Sequence, residues 1–321
     1  MTTHLAFLFP GQGSYVPGLF GRLAERCPVV GDTLSAVDRS AARWGQSPVS
    51  STLLDPDAPS LQQLADSEPT TLHLALFAAS VVTFRLLIRC GVRPDVLLGH
   101  SFGDLIALTV AGVWSLDDGV RLVVTGDEAL RRPATPVGGM VALDCCARRA
   151  RALLDALGER HLGVAADNGP GQVVVSGPDV QLAHLLRAAA AFGVSATRLR
   201  VPHPFHNTIL TGAAKEFAKG ITAIPRRAPR LRVYSSLIGR YVTDSADVDR
   251  IVTGHLTMPV SFLAAVRRVN ADGVGKFVEC GPKATLTNLV SGALAGVTVT
   301  APLPHRTDWA TWSANLRRIR G

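Results

Sequence analysis

A five-residue turn constrains this chain more than any other feature. Residues 99–103 have the sequence Gly-His-Ser-Phe-Gly, between a predicted buried strand at 95–99 and a predicted helix at 104–111. A sharp strand-to-helix turn projects the side chain of Ser101 and aims backbone N–H groups at a carbonyl that the serine would attack. Flanking side chains would collide in so tight a turn, which explains both glycines. The turn therefore predicts an α/β chain with a nucleophilic serine, and the alternative is a glycine-rich turn with an incidental serine.

The composition fits a large α/β core. The chain has 321 residues, of which 47% are hydrophobic and 18% charged, so one large domain or two coupled domains can bury a substantial core. Aromatic residues make up only 6%, so the apolar mass is aliphatic, as suits helices packed on a sheet. The sequence therefore excludes global disorder.

The cysteines and the apolar segments predict the compartment. Five cysteines form no CxxC pair and no metal-ligand spacing, which favours free thiols in a reducing environment and no bound metal. The N-terminus lacks the basic region of a signal peptide, and charged residues interrupt the most apolar stretch, residues 72–98. We therefore expect a soluble, cytoplasmic protein that does not enter a membrane.

The charge is strongly positive but dispersed. The net charge is +8 and the pI about 9.8, and the basic residues are mostly arginines scattered along the chain. Nucleic-acid binding would favour a basic run interleaved with aromatic residues, and the sequence has none. The charge instead favours an acidic protein partner.

A change of pattern after residue 130 predicts an inserted subdomain. Strands alternate with helices there in the order β-α-β-β-α-β, the arrangement of a small ferredoxin-like unit. We therefore predict a ferredoxin-like small subdomain at 130–200, inserted in a large α/β subdomain at 1–129 and 201–321. Its predicted elements lie at residues 139–143, 147–157, 161–166, 172–176, 179–192 and 195–201. In the large subdomain we predict helices at residues 17–45, 60–66 and 71–89 and a helix start at 116.

Two further segments supply partners for the serine. A serine hydroxyl needs a base, and His206 lies where the small subdomain returns to the large one, with His203 as the nearest rival. The glycine-rich loop at 10–14, Pro-Gly-Gln-Gly-Ser, could supply backbone N–H groups to an oxyanion hole. It lacks the GK[ST] ending and the GxGxxG pattern of phosphate-binding loops.

These motifs together resemble the malonyl-CoA:acyl-carrier-protein transacylases and the acyltransferase domains of polyketide synthases. The resemblance covers nearly the whole chain and implies an α/β-hydrolase-like large subdomain with an inserted ferredoxin-like small one. The motifs that carry it are PGQGS at 10–14, GHSFGD at 99–104, NGPGQVVVSG at 168–177, HPFH at 203–206, HLTMPV at 255–260 and VECGP at 278–282.

The resemblance also implies a mechanism. Ser101 would attack a thioester carbonyl, His206 would carry the proton, and a backbone carbonyl, placed by the motif on His255, would orient His206. The N–H groups of Gln12 and Phe102 would hold the oxyanion. No cofactor is implied, because the acyl group arrives and leaves on the 4′-phosphopantetheine of acyl carrier proteins, or on coenzyme A.

One departure from the family pattern concerns the substrate. Family members that use malonyl or methylmalonyl carry an arginine 25 residues after the serine, and Gly126 stands there in this sequence. Since that arginine pairs with the substrate carboxylate, its loss predicts an acyl group without a carboxylate, unless Arg131 replaces it. The HPFH segment resembles the pattern of malonyl-specific domains, so Phe205 instead favours malonyl, a carboxylated acyl group, as the substrate. The residues predicted to line the substrate pocket are Gly126, Phe205, His203 and Asn168.

The sequence shows no ketosynthase or carrier domain, so we expect a discrete, trans-acting enzyme that works as a monomer. It looks most like enzymes of macrolactam pathways that move aminoacyl or dipeptidyl groups between acidic carrier proteins. The alternatives are a malonyl-CoA:ACP transacylase, a proofreading thioester hydrolase and a non-catalytic docking subunit. The predicted carrier contacts are Arg148, Arg149, Arg151 and Arg306.

Overall fold

Two β-sheets organise the chain in a computed structural model that describes residues 4–132 and 135–320. The large sheet has the strand order β10-β9-β1-β2-β7-β8, and all its strand pairs are parallel except β7 with β8. Its strands are β1 (His4–Phe9), β2 (Val96–Gly99), β7 (Val233–Ser235), β8 (Arg240–Tyr241), β9 (Val274–Glu279) and β10 (Thr298–Thr300). All four residues of β2 are buried, as expected of a parallel strand covered by helices on both faces.

The helices of the large subdomain precede and follow the small one. Those before it are α1 (Gly21–Ala24), α2 (Pro28–Arg43), α3 (Ser50–Leu54), α4 (Leu61–Ser67), α5 (Pro69–Arg89), α6 (Phe102–Val110) and α7 (Leu116–Leu130). Those after it are α10 (Thr211–Ile221), α11 (Ser245–Gly254), α12 (Phe262–Ala271), α13 (Thr285–Ala293) and α14 (Trp309–Arg320), preceded by a 3₁₀ turn at Thr208–Leu210. Helix α5 is long and apolar enough to cross a membrane, with a mean hydropathy of 1.8, but 78% of that window is buried inside the protein. It is therefore packed as a core helix here.

The segment 17–45, predicted to be helical, forms two helices with a break between them. Helix α1 ends at Ala24 and α2 begins at Pro28. Proline lacks an N–H group and favours the first helical position, and Cys27 before it is extended, with φ −126° and ψ 90°. A proline inside an apolar pattern therefore starts a new helix.

The small subdomain contains the second sheet, with the order β4-β5-β3-β6 and only antiparallel pairs. Its elements are β3 (Gly139–Leu143), α8 (Ala147–Leu157), β4 (Gly163–Gly169), β5 (Gln172–Gly177), α9 (Asp179–Ala191) and β6 (Ala196–Arg198). This β-α-β-β-α-β order confirms the predicted fold class, an α/β chain with a ferredoxin-like unit inserted in a larger subdomain. The boundaries at 130 and 200 stay a prediction.

The two subdomains are joined by backbone hydrogen bonds as well as by the chain. The N–H of Val260 donates to the carbonyl of Ala165 at 2.9 Å, and the N–H of Asp167 donates to the carbonyl of Val260 at 2.9 Å. Strand β4 is thereby held against the segment that follows α11. This contact places one wall of the small subdomain over the end of β2, where the serine turn lies.

Candidate active site

The serine turn has the geometry of a nucleophile elbow. Ser101 lies between β2 and α6 with φ 56° and ψ −119°, a left-handed conformation that is rare for a residue with a side chain. A Cβ atom on Gly99 would overlap the backbone of Asp104, and one on Gly103 would overlap the carbonyl of Phe9. The two glycines therefore allow β1, β2 and α6 to approach closely, and the approach fixes the direction of the serine side chain.

The structure brings Ser101 and His206 together across 105 residues of chain. The serine Oγ lies 2.7 Å from His206 Nε2, so the hydroxyl can donate to the ring. The other ring nitrogen, Nδ1, donates to the carbonyl of Met258 at 2.8 Å. This bond fixes the tautomer that leaves Nε2 free to accept the serine proton. The arrangement is that of a nucleophile and an oriented base.

The prediction that the carbonyl of His255 orients the base is wrong. Helix α11 ends at Gly254, and the N–H groups of Thr257 and Met258 both bond back to the carbonyl of Gly254. Because of this tight turn, the carbonyl that faces the His206 imidazole belongs to Met258, three residues after His255. His255 instead lines the cavity with its side chain, and its ring centroid lies 6.4 Å from that of His206.

Burial keeps both of these histidines neutral. The pKa of His206 is lowered to about 3, chiefly by burial and also by the neighbouring His255, against the opposing effect of the Met258 carbonyl. Burial also lowers the pKa of His255 to about 4. At neutral pH His206 therefore carries no proton on Nε2 and is ready to act as a base.

Two loops supply N–H groups beside the serine. Phe102 is the first residue of α6 and Gln12 lies in the loop after β1, and both line the same cavity as Ser101. Within residues 4–132 and 135–320, neither backbone N–H has an acceptor. Lys283 holds the Gln12 loop in place, because its Nζ donates to the carbonyl of Gly13 at 2.6 Å. Both N–H groups are thus free to bind an oxyanion.

A polar chain links the serine turn to the small subdomain. His100 Nε2 lies 2.7 Å from Asn168 Oδ1, and Asn168 Nδ2 donates to Gln172 Oε1 at 2.9 Å. The ring of His100 also packs edge-on against Phe262, with centroids 5.2 Å apart. Burial lowers the pKa of His100, so it is a neutral member of this chain. Asn168 therefore lines the cavity in a fixed orientation.

The cavity of about 290 Å³ lies between the two subdomains and holds no cationic lysine or arginine among the described lining residues. Gly126 lines it, and a Cβ there would meet only the ring of Phe217, at 3.7 Å. Arg131, the predicted replacement for the missing arginine, does not line the cavity, because its guanidinium donates to Thr70 Oγ1 at 3.0 Å. Asp127 is the one acidic lining residue in the described part of the chain.

The sequence prediction missed a second pair of cavity residues. His73 Nδ1 lies 2.7 Å from Asp127 Oδ1, and the two side chains expose only 12% and 9% of their surfaces. His73 lies on α5 in a long apolar run, and Asp127 follows it by 54 residues, so no local pattern joined them. The only local signal was a polar ring in a helix otherwise predicted to be core.

One of the predicted pocket residues lies outside the lining. Phe205 lines the cavity and is buried, whereas His203 packs edge-on behind it, with ring centroids 5.7 Å apart. Burial lowers the pKa of His203. His203 therefore supports the wall of the cavity and does not face it.

The comparisons with known proteins identify the family of this chain. The family model described as "Acyl transferase domain" matches residues 6–311. The chain belongs to this family. It is 36% identical over 307 residues to "Spectinabilin polyketide synthase system protein NorB" of Streptomyces orinoci, and 35% identical over 316 residues to "Erythronolide synthase EryA3" of Saccharopolyspora erythraea. These alignments cover 91% and 98% of this chain but only 13% and 10% of the relatives' lengths.

Solved acyltransferases have the same fold. The acyltransferase domain from the second module of the salinomycin polyketide synthase matches with a TM-score of 0.85 and 30% identity, covering 99% of this chain and 72% of that one. The malonyl-CoA:acyl carrier protein transacylase of Xanthomonas oryzae pv. oryzae KACC10331 matches with a TM-score of 0.88 and 28% identity, over 98% of both chains. The family therefore includes both carrier-protein transacylases and polyketide synthase domains.

The four arginines predicted as carrier contacts differ in their surroundings. All four are exposed. Arg149 donates to the carbonyl of Phe192 at 2.7 Å, so it also fixes the end of α9 to α8. Arg306 donates to the carbonyls of Pro17 and Pro56 at 2.8 and 2.6 Å, so it ties the C-terminal segment to the N-terminal loops. Arg148 and Arg151 on α8 are the more available pair for a partner.

Proposed function

We propose that this chain transfers an acyl group between two thioesters through an ester on Ser101, and that this acyl group has no free carboxylate. The observation that carries the proposal is the cavity lining. Among the described residues it offers no lysine or arginine and one buried carboxylate, that of Asp127. A substrate carboxylate would lack a counter-charge there.

The geometry supports a two-step transfer. In the first step the serine proton moves to His206 Nε2 as Oγ attacks the thioester carbonyl, and the N–H groups of Gln12 and Phe102 bind the oxyanion. Collapse breaks the C–S bond, and His206 returns the proton to the leaving thiolate. In the second step His206 takes a proton from the acceptor thiol, and the resulting thiolate displaces the serine, which recovers the proton. No cofactor takes part in either step.

The missing counter-charge is a large energetic effect. Burying a carboxylate without a partner costs about 3–5 kcal/mol, which corresponds to a factor of about 100 to 4,000 in rate or affinity. The carboxylate of Asp127, beside Gly126 in the chain, adds like-charge repulsion. A neutral or cationic acyl group avoids both costs.

The finer part of the proposal concerns the donor and the acceptor. We propose that the acyl group is aminoacyl or dipeptidyl and that the enzyme acts in trans on two acyl carrier proteins. The net charge of +8 suits acidic carriers. One solved structure of the same fold, 24% identical, is of a malonyl-transacylase in complex with its type II polyketide acyl carrier protein. The trans-acting arrangement otherwise rests on the sequence resemblance alone.

A malonyl-CoA:ACP transacylase is the second candidate. The buried ring of Phe205 favours it, because a bulky ring at that point of the cavity excludes α-branched acyl groups and suits malonyl. The absence of a cation in the described lining opposes it, and we give that charge effect more weight than the shape of one ring.

The test is the intact-protein mass after brief exposure to four donors: malonyl-CoA, acetyl-CoA, an aminoacyl-carrier protein and a dipeptidyl-carrier protein. We expect adducts from the carrier-bound, non-carboxylated donors and none from malonyl-CoA. The control variant Ser101→Ala should give no adduct from any donor. A rapid malonyl adduct on the wild type would overturn the proposed acyl class, and turnover by the serine variant would overturn the mechanism.

A further inference from the structure

The side chain of His255 has no role in the transfer steps described above. The residue directly follows α11, its exposed fraction is 8%, and it lines the cavity that contains Ser101. Its ring centroid lies 6.4 Å from that of His206 and 6.4 Å from that of Phe217. The ring therefore lies beside the catalytic pair but takes no part in the hydrogen bonds of that pair.

His255 lies along the path of an acyl chain that extends from the serine. Phe217, its neighbour, is also the residue that a Cβ atom on Gly126 would meet, at 3.7 Å. All of these residues line one cavity with Ser101. An acyl group on Ser101 that extends towards the open space at Gly126 therefore passes the ring of His255.

The imidazole of His255 has no protein partner. Neither ring nitrogen forms a hydrogen bond among the described residues. Nδ1 is enclosed but Nε2 is not, so Nε2 is the nitrogen that a group in the cavity can reach. Buried backbone N–H groups are left without an acceptor less often than carbonyls are left without a donor. The same preference favours the tautomer with the proton on Nε2, which presents an N–H donor to the cavity.

The backbone that carries His255 is fixed on the side of the base. The N–H of Met258 bonds back to the carbonyl of Gly254 at 2.7 Å, and the N–H of His206 donates to the carbonyl of Leu256 at 2.8 Å. Since the carbonyl of Met258 also accepts from His206 Nδ1, this segment is tied to the base at two points. A donor held in this way is pre-organised, so binding a ligand costs little ordering.

The charge state limits what His255 can bind. Burial lowers its pKa to about 4, so at pH 7 only about one molecule in 1,000 carries the second ring proton. The ring therefore offers one N–H donor and no positive charge for a carboxylate. A neutral oxygen, such as the carbonyl of a ketone or an amide, can accept from that donor without bringing a charge into the cavity.

We propose that Nε2 of His255 donates a hydrogen bond to a second carbonyl oxygen on the acyl group, one residue beyond the thioester carbonyl. One residue of extended chain spans about 3.5 Å and a hydrogen bond adds about 3 Å, which together are of the same size as the 6.4 Å between the two histidine rings. A dipeptidyl group has its amide carbonyl at this point, whereas an aminoacyl group has no second carbonyl. The inference rests on the proposed function, and it selects the dipeptidyl group of the two acyl classes proposed there. His255 is thus a specificity residue.

The test compares thioesters that differ in one oxygen. We would measure the rate of Ser101 acylation, by intact-protein mass, with pantetheine thioesters of pentanoate, 4-oxopentanoate and N-acetylglycine. The ketone and the amide place a carbonyl at the same point of chains of equal length. We expect the wild type to favour both of them over pentanoyl by about 5- to 30-fold, the effect of pairing one buried donor. A ratio of 4-oxopentanoyl to pentanoyl rates at or below one would overturn the inference.

Variants then assign the preference to His255. His255→Phe keeps a ring and removes the donor, so the ratio should fall to near one. His255→Gln supplies an amide N–H and should keep part of the preference. His305→Phe, the same substitution at an exposed histidine outside the cavity, is the matched control and should leave the ratio unchanged. If His255→Phe slows both donors equally and the ratio stays at the wild-type value, the ring only supports the base and the inference is wrong.

Failure of this inference and failure of the proposed function give different results. A rapid malonyl adduct on the wild type would overturn the proposed acyl class whatever the ratio of 4-oxopentanoyl to pentanoyl rates is. Equal rates for those two donors would remove the contact with His255. Their adducts on Ser101 would still leave the transfer of non-carboxylated acyl groups intact.

Discussion

Introducing an arginine at position 126 should allow this enzyme to accept a carboxylated acyl group. In the variant Gly126→Arg the new Cβ would meet only the Phe217 ring, at 3.7 Å, an ordinary contact. Glycine inside a helix is also less favourable than most residues by up to about 1 kcal/mol, so we expect no loss of helix stability from the substitution itself. The new side chain would extend into the cavity of about 290 Å³.

The expected gain follows from the cost that the arginine removes. An unpaired carboxylate costs about 3–5 kcal/mol, but the guanidinium would share its charge with Asp127, the next residue in the chain. We therefore expect the rate of malonyl adduct formation to rise by about 10- to 100-fold, less than the full factor of up to about 4,000. The assay is intact-protein mass against time with malonyl-CoA, and the acceptance of longer acyl groups should fall because the cavity is smaller.

A neutral variant separates charge from size. Gly126→Met places a side chain of comparable length in the cavity and should slow every donor without favouring malonyl. The reasoning would be refuted if Gly126→Arg is folded, shows the same loss of long donors, and still gains nothing with malonyl-CoA. In that case something other than the missing cation excludes the carboxylate.

Three further predictions concern the base, the turn and the surface. Since burial sets the pKa of His206 at about 3, acylation by a neutral thioester should stay constant as the pH falls from about 8 to about 5, and an inflection near the ordinary histidine value of about 6.5 would contradict this. Gly103→Ala should lower the unfolding free energy by about 1–3 kcal/mol in denaturant titration, because its methyl overlaps the carbonyl of Phe9, and an unchanged midpoint would refute that close approach. Arg151→Glu should raise KM for a carrier protein and leave acylation by small thioesters unchanged. Arg306→Glu should have the same effect and should also lower the melting temperature, because it loses two hydrogen bonds to backbone carbonyls. Unchanged carrier kinetics in both variants would show that these residues do not belong to the carrier-binding surface.

Local patterns predicted the parts of the fold that depend on local interactions. The strand, turn and helix around Ser101 follow from an apolar run, two glycines and the helix after them. The β-α-β-β-α-β order of the small subdomain follows in the same way from alternating short runs and turn residues. After residue 201 the sequence supplied motifs but no predicted elements. The strands β7, β8 and β10 are only two or three residues long, which is too short to give a periodic pattern.

The parts of the site that depend on long-range packing were not predictable. The carbonyl that orients His206 belongs to Met258 and not to His255, because the chain turns tightly after α11. The side chains in a sequence do not indicate which backbone carbonyl will face a given ring. The pair of His73 and Asp127 joins two helices across 54 residues. A histidine inside an apolar helix is more often a packed core residue, so its position gave no reason to expect a partner.

The backbone conformation at the two reacting residues makes the active site locally less stable than the rest of the fold. Ser101 and His206 both have left-handed φ angles, of 56° and 60°. Each such conformation costs about 1–2 kcal/mol for a residue with a side chain, and persists only while the neighbouring packing enforces it. Partial relaxation of that packing would therefore release these two residues first. Activity should therefore disappear at a denaturant concentration below that at which the sheets unfold. The loss of activity would then measure the local stability of the packing that holds these two backbone conformations.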